Sequence, residues 1–198
     1  MSDRPSRIYL VRHGETAWSL TGQHTGRNDI PLTSRGEEDA RKLGPRLQKL
    51  PIANVLSSPL QRAKRTCDLA GYGARAKLLP DLMEWNYGDY EGVTGTEIRA
   101  RRPGWNLFRD GCPGGEVLSD VIARVDRVLP ILRSFTGDTA VFAHGHLLRV
   151  LTTRLVGLPP DAGLRFSIDP ASLSIVLLDP HTGEPVLERW NDVSHLGA

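Results

Sequence analysis

His13 stands in the run Leu10-Val11-Arg12-His13-Gly14-Glu15-Thr16. A lone histidine is usually structural, but these neighbours suit it to one chemistry. A neutral imidazole is a good nucleophile towards phosphorus, and its attack leaves a phosphohistidine. Arg12 brings a guanidinium, Gly14 lets backbone or ligand come close, and Thr16 can donate a hydroxyl. Clustered guanidiniums disfavour a further positive charge and so keep the ring neutral. A second histidine, His144, lies in Thr139-Ala140-Val141-Phe142-Ala143-His144-Gly145-His146. It is expected at a helix start, whose amides and positive dipole end can face a phosphate. Protonated, it can donate to the equatorial oxygens where charge develops.

Arg62 belongs to Ser57-Ser58-Pro59-Leu60-Gln61-Arg62-Ala63-Lys64-Arg65-Thr66. The spacing puts it in the first turn of a helix, with Ser58 and Arg62 pointing at a bound phosphate and Arg65 on a solvated face. Arg12 and Arg62 would then form a bidentate clamp for a phosphoryl dianion. Transfer from a sugar alkoxide also needs an acid for the leaving oxygen. Glu84 is the candidate, because Leu82, Met83 and Trp85 around it favour the protonated form. Asp81, Asp89 and Glu91 compete, and spacing does not separate them. His13, His144 and His146 also raise a metal site. The His-Gly-His spacing gives no helical i, i+4 pair, and no Cys or Asp cluster completes a shell. No metal and no cofactor are expected.

Short β-branched runs must position these groups. Strands are predicted at Arg7–Arg12, Asn54–Ser57, Thr139–Ala143 and Ser172–Leu178, with a weaker one near Ala76–Leu79. Helices alternate with them. One is capped by Ser34 with Glu37 and carries Ala40, Leu43, Leu47 and Leu50. Another runs from about Leu60 to Ala70, and another from about Glu116 to Ser134 with Val117, Val121, Val125, Val128 and Leu132 on one face. Pro130 should kink or shorten that helix. A last helix runs from about His146 to Val156. This alternation implies a three-layer α/β/α domain with a mostly parallel sheet. In such sheets ligands gather at the carboxyl ends of strands, where Arg12-His13-Gly14, Ser57-Ser58 and Ala143-His144-Gly145 all emerge. The turn Leu178-Asp179-Pro180-His181-Thr182-Gly183-Glu184-Pro185 should return the chain as an antiparallel edge strand. Residues 81–115, rich in Gly, Trp and charge, are expected to form an irregular flap beside the site.

With 198 residues, 39% of them hydrophobic and 24% charged, the chain suits one globular domain over 1–198. A net charge of +2 and 6% aromatics give no nucleic-acid footprint. No apolar run approaches a bilayer crossing, so no membrane contact is expected. The residues from Met1 to Arg7 lack a signal core, and two cysteines make no disulfide framework; both point to the cytoplasm. Only Lys42, Lys49, Lys64 and Lys77 are lysines. The remaining basic charge is arginine, which grips phosphate with a planar fork, although codon bias alone would give the same skew. The sequence allows a homodimer without specifying one.

Arg12-His13-Gly14-Glu15-Thr16, the Ser-Pro-Leu-x-Arg-Ala run ending in Thr66, Glu84 ahead of Gly88 and Glu91-Gly92, and Ala143-His144-Gly145 together resemble the histidine phosphatase superfamily. That superfamily includes the phosphoglycerate mutases. The resemblance implies a phosphoglycerate mutase-like fold, a phosphorylated His13, a phosphoryl site of Arg12, Arg62 and His144, and Glu84 as proton donor, with no metal. Trp18-Ser19 with Thr21-Gly22-Gln23, Tyr87-Gly88-Asp89-Tyr90-Glu91-Gly92, Trp105-Asn106 with Arg109-Asp110-Gly111-Cys112, and His146 with Arg149 resemble the fungal sedoheptulose 1,7-bisphosphatase type. By that similarity Ser58, Tyr87 and Arg149 contact substrate beyond the reacting phosphate, and Arg149 can take a second phosphate. Thr16, Ser19, Thr25, Gly26 and Gly145 complete the expected substrate contacts. Ser19 stands where mutases usually carry Asn, and Pro113-Gly114-Gly115 makes the flap distinctive. The stretch from Glu84 to His144 lacks the insertion that closes the mutase site. An open site admits water.

The expected activity is therefore hydrolysis of a small phosphorylated metabolite, a sugar phosphate or bisphosphate. Phosphoglycerate mutase chemistry is the alternative, and a phosphate-binding scaffold is a weaker one.

Overall fold

The computed structural model describes residues 6–179 and 184–197. Strand β1 (Ser6–Arg12) buries Ile8, Tyr9, Leu10 and Val11 in succession. A strand apolar on both sides must lie inside a sheet covered on both faces. The chain continues through α1 (Ala17–Thr21), α2 (Ser34–Leu47), β2 (Ile52–Ser57), α3 (Gln61–Leu69) and β3 (Lys77–Leu78). Then follow α4 (Gly95–Arg101), α5 (Leu107–Asp110), α6 (Leu118–Ser134), β4 (Asp138–Ala143), α7 (Gly145–Leu155), β5 (Leu173–Leu178) and β6 (Pro185–Asp192).

The six strands lie in the order β3-β2-β4-β1-β5-β6. β3, β2, β4 and β1 pair in parallel, while β5 runs antiparallel to β1 and β6 antiparallel to β5. The strand period of two sorts the core. Ile8 and Leu10 face a cluster shared with α6 and α7, and Tyr9 and Val11 face one shared with α2 and α3. The three-layer α/β/α reading holds, with an antiparallel edge. Because β1, β2 and β4 are parallel, Arg12, Ser57 and Ala143 end at one edge. Hydrogen bonds join the chain there, from the His13 amide to the Ala143 carbonyl (3.0 Å) and from the Ser58 amide to the Phe142 carbonyl (2.9 Å).

Several local expectations change. Thr33, not Ser34, caps α2: its hydroxyl accepts from the Gly36 amide at 3.0 Å. Glu37 turns outward to Arg41 and Arg65 instead of closing a box. α6 continues past Pro130 to Ser134, so the proline does not end it early. Pro130 lies on the exposed face, where water can replace the lost amide, while Val121, Val125, Val128 and Leu132 stay buried opposite. Packing of that stripe outweighs the local penalty. The weak strand shrinks to Lys77–Leu78. β6 returns as the expected edge strand, although residues 180–183 of its turn lie outside the described ones.

The 81–115 segment, expected as an irregular flap, packs several side chains into the core. It contains α4 and α5, and Leu82, Trp85, Tyr87, Ile98, Trp105, Leu107 and Phe108 are buried in the core cluster of α6 and α7. Its irregular path is fixed by side-chain packing. Among the described residues no helix is long and apolar enough to cross a membrane.

Candidate active site

The His13 ring is almost wholly buried, 4% exposed, and lines a cavity of about 160 Å³ at the carboxyl edge of the sheet. Its Nδ1 lies 2.7 Å from the Gly14 carbonyl. Only a protonated Nδ1 can donate there, so Nε2 keeps its lone pair. Burial, with Arg62 and Arg12 adding, holds the imidazole well below the usual histidine range. The sequence expectation of a neutral ring stands, with desolvation as the larger cause. Gly14 is required for packing: a Cβ there would lie 2.4 Å from the Gly36 carbonyl oxygen. The Gly14 amide also donates to the Thr66 hydroxyl at 3.0 Å, tying this turn to α3.

His144 sits one layer behind, its ring centroid 5.2 Å from that of His13. Nδ1 accepts from Arg62 Nε at 3.2 Å, and Nε2 lies 2.8 Å from the Ser58 hydroxyl. Burial and then Arg62 push its pKa well down, so the ring is neutral and not the cation expected from sequence. Arg62 is wholly buried too. Its Nη2 donates to the Thr25 and Gly26 carbonyls and its Nη1 to that of Asn28. With Nε on His144, four of its five N–H donors are engaged. Arg62 thus holds the 25–28 loop and the second histidine, and it presents no open fork. Ser58 likewise orients His144 and does not line the cavity.

Glu84 lines the same cavity as His13. Oε1 accepts from the amides of Trp85 and Leu147 at 2.9 Å, and Oε2 from that of His146 at 3.0 Å. The amides at the start of α7, expected to face a phosphate, are therefore taken by this side chain. Backbone amides, not the apolar neighbours, define its setting. Its segment is braced from α6: Arg124 donates to the carbonyls of Asp81 and Met83 and pairs with Glu116, 2.6 Å between Nε and Oε1. The competing acids Asp81, Asp89 and Glu91 do not line the cavity. Asp81 pairs with Arg127, and Glu91 accepts from the amides of Gly26, Arg27 and Asn28.

Arg12, Arg149, Tyr87, Gly145, Ser19 and Thr25 also line the cavity. Nε of both Arg12 and Arg149 is buried without a hydrogen-bond partner. These two guanidiniums, not Arg12 with Arg62, share the cavity. The Tyr87 hydroxyl lies 2.7 Å from Nδ1 of His146. Burial raises the phenol and lowers the imidazole, so the hydroxyl donates. Two further expected contacts, besides Ser58, fall elsewhere. Thr16 caps α1 through its hydroxyl, and Gly26 is a packing residue whose Cβ would lie 2.1 Å from Glu91 Oε1.

His24, His146 and Gln23 also line the cavity and were not picked from sequence as substrate contacts. His24 carries no motif, although Gln23 borders a segment that the sequence had singled out. Nδ1 of His24 lies 2.7 Å from the Val93 carbonyl, which leaves its Nε2 unprotonated, because burial keeps this ring neutral. Among the described residues no three His, Cys, Asp or Glu side chains group around a metal-sized site. The arrangement can do one thing well: it offers a neutral imidazole nitrogen, two cations and a carboxyl to a single small cavity.

Comparison with known proteins agrees. The pattern of the histidine phosphatase superfamily (branch 1) matches residues 8–193. An acid phosphatase of Mycobacterium tuberculosis is 38% identical over 179 residues, 88% of each chain. The sedoheptulose 1,7-bisphosphatase of Saccharomyces cerevisiae is 35% identical over 184 residues, which cover 77% of this chain and 68% of that protein. Among solved structures, the product of a Mycobacterium tuberculosis open reading frame superposes with a TM-score of 0.88 at 36% identity, over 95% of this chain and 98% of that one. With the matched pattern running through nearly all of the sheet and every wall of the cavity, the chain belongs to the histidine phosphatase superfamily, branch 1, and is a phosphatase.

Proposed function

We propose that this phosphatase hydrolyses a small phosphorylated metabolite, a sugar phosphate or bisphosphate such as sedoheptulose 1,7-bisphosphate, through a phosphohistidine on His13 and without a metal. One observation carries the reading. Nδ1 of His13 is committed to the Gly14 carbonyl, so the ring offers one lone pair, on Nε2, beside the Arg12 guanidinium.

Nε2 attacks phosphorus in line, and the bond from phosphorus to the sugar oxygen breaks. Glu84 gives that oxygen its proton. The resulting carboxylate takes a proton from water, whose oxygen attacks phosphorus, and the bond to Nε2 breaks to release phosphate. Arg12 neutralises the phosphoryl oxygens, supported by the charge and remaining N–H of Arg62, whose Nε is held by neutral His144. Arg149 supplies the cation for a second phosphate, and its unpartnered buried Nε supports that role. Cys67 and Cys112 are free and buried, which fits a reducing compartment, and the proposal keeps the enzyme in the cytoplasm.

The test is a turnover of radiolabelled substrate quenched in alkaline detergent. Label should appear in the protein as an alkali-stable, acid-labile adduct that His13→Ala abolishes, and EDTA should leave the rate unchanged. Full activity in His13→Ala would sink the proposal. Catalytic efficiencies across small phosphorylated metabolites would identify the substrate. Phosphate release from 3-phosphoglycerate, rather than its isomerisation, separates hydrolysis from mutase chemistry.

A further inference from the structure

The loop of residues 166–172 passes behind the reacting histidine and serves both members of the Arg12-His13 pair. The Ile168 carbonyl accepts from Arg12 Nη1 at 2.5 Å, and the Ser172 carbonyl from the Arg12 amide at 3.2 Å. The Ala171 amide donates to the His13 carbonyl at 3.0 Å. The bond to Ile168 is the one side-chain hydrogen bond of Arg12 among the described residues. The place of that carbonyl therefore sets where the guanidinium points.

The loop is not held by its own sequence. Asn191, in the edge strand β6, reaches across to it twice. Its Oδ1 accepts from the Asp169 amide at 2.6 Å, and its Nδ2 donates to Asp169 Oδ2 at 2.7 Å. The backbone amide of Asn191 is anchored in turn on the Ser174 hydroxyl at 3.0 Å. The Trp190 indole donates to the Ser167 carbonyl, and His195 Nε2 bonds the Ala171 carbonyl at 3.0 Å.

Backbone strain marks the same unit. Asn191 and Ala171 are the two non-glycine residues with positive φ among the described residues, both at 55°. That region costs a residue with a Cβ about 1–2 kcal/mol, less for asparagine. Such strain persists where the surroundings over-determine it, often at functional sites. Here it lies at the two ends of a chain of contacts: Asn191 to Asp169, the loop, then Arg12 and His13. Burial lowers the pKa of Arg12, and the Asp169 carboxylate is among the groups that oppose that shift.

We infer that Asn191 is a positioning residue: by clamping Asp169 it fixes the Ile168 carbonyl, and so aims the Arg12 guanidinium at the phosphoryl group. The inference rests on the proposed role of Arg12. It assigns the last strand of the fold, more than 150 residues from Arg12 in sequence, a task in the site beyond closing the sheet.

The test compares Asn191→Ala with Asn191→Gly, which tolerates the left-handed backbone but also lacks the clamp. Misplacement of a catalytic group by an ångström can cost about a hundredfold, so a partial shift should lower kcat/KM about tenfold in both variants and weaken competitive inhibition by inorganic phosphate. Glu188→Ala is the control on the same strand. It removes only the ion pair to Arg7 and should leave kcat/KM unchanged. In an Arg12→Lys background, whose ammonium cannot be aimed as a fork, Asn191→Gly should have little further effect. Equal losses in both backgrounds, or Asn191→Gly within about twofold of the parent, would overturn the inference. If the Asn191 variants fail to fold, Asp169 decides. Asp169→Asn keeps an acceptor for Nδ2 and should retain most activity, whereas Asp169→Ala should not; equal activities would overturn it. Activity in His13→Ala would instead fail the underlying mechanism, whatever Asn191 does.

Discussion

Arg62 donates its Nε–H to Nδ1 of His144 across 3.2 Å, and both side chains are completely buried. The bond fixes the neutral histidine as the tautomer that carries its proton on Nε2, the nitrogen facing Ser58. One arginine therefore sets the second histidine, holds three carbonyls of the 25–28 loop, and lowers the affinity of both rings for protons.

Arg62→Lys should fail on both stability and rate. A lysine ammonium cannot reach His144 and the carbonyls of residues 25, 26 and 28 together. Each buried acceptor left unpaired costs about 1–3 kcal/mol, so the urea midpoint should fall clearly. Loss of a preorganised charge should reduce kcat about a hundredfold. A variant with parental stability would show that the loop does not depend on these bonds.

The buried rings predict an acid-sensitive fold. His13, His144 and His146 are held well below the usual range by burial, while in the unfolded chain they protonate near pH 6.5. Below that pH protons bind preferentially to the unfolded chain. Stability is thus complete above about pH 6.5 and declines as pH falls, by up to about 1.4 kcal/mol per pH unit for each ring. Urea unfolding at pH 7.5 and 5.5 measures this; an unchanged midpoint would mean the rings accept protons in place. The acidic limb of kcat/KM should lie below pH 6.5 for the same reason.

Glu84→Gln should separate substrates by leaving group. Hydrolysis of alkyl phosphates should fall about a hundredfold or more, the usual range for losing a general acid, while aryl phosphates should suffer far less. Equal losses would remove Glu84 from the proton transfer. A stability cost is also expected, since either orientation of the amide sets its NH2 against at least one backbone N–H from Trp85, His146 or Leu147.

Arg149→Ala should discriminate by charge. KM for a sugar bisphosphate should rise about tenfold or more, as for a lost charge-assisted contact, with a smaller change for a monophosphate. Comparing the two substrates checks this, and a uniform effect would make Arg149 a general wall of the cavity.

The layered fold was legible because β1 and its partners are short apolar runs followed by polar clusters, and the parallel-sheet rule then brings those clusters to one edge. His13 and Glu84 reach the cavity as expected. Arg62 was legible as a phosphate-facing arginine only in part, because its carbonyl partners at residues 25, 26 and 28 have no side-chain signature. His24 was missed for a similar reason: its neighbours in space, Tyr87, Trp105 and His146, come from distant segments. The early end considered at Pro130 does not occur, because a local rule met a stripe of buried valines and leucine that favoured one continuous helix.

The hydrogen bond from Nδ1 of His13 to Gly14 has a stereochemical consequence. It leaves one reactive nitrogen, beside a cavity that Glu84 also lines. In the two-step reaction the alcohol departs past that carboxyl, and water must arrive by the same route. Each in-line displacement inverts phosphorus, so a chiral phosphorothioate ester hydrolysed in isotopic water should emerge with its original handedness.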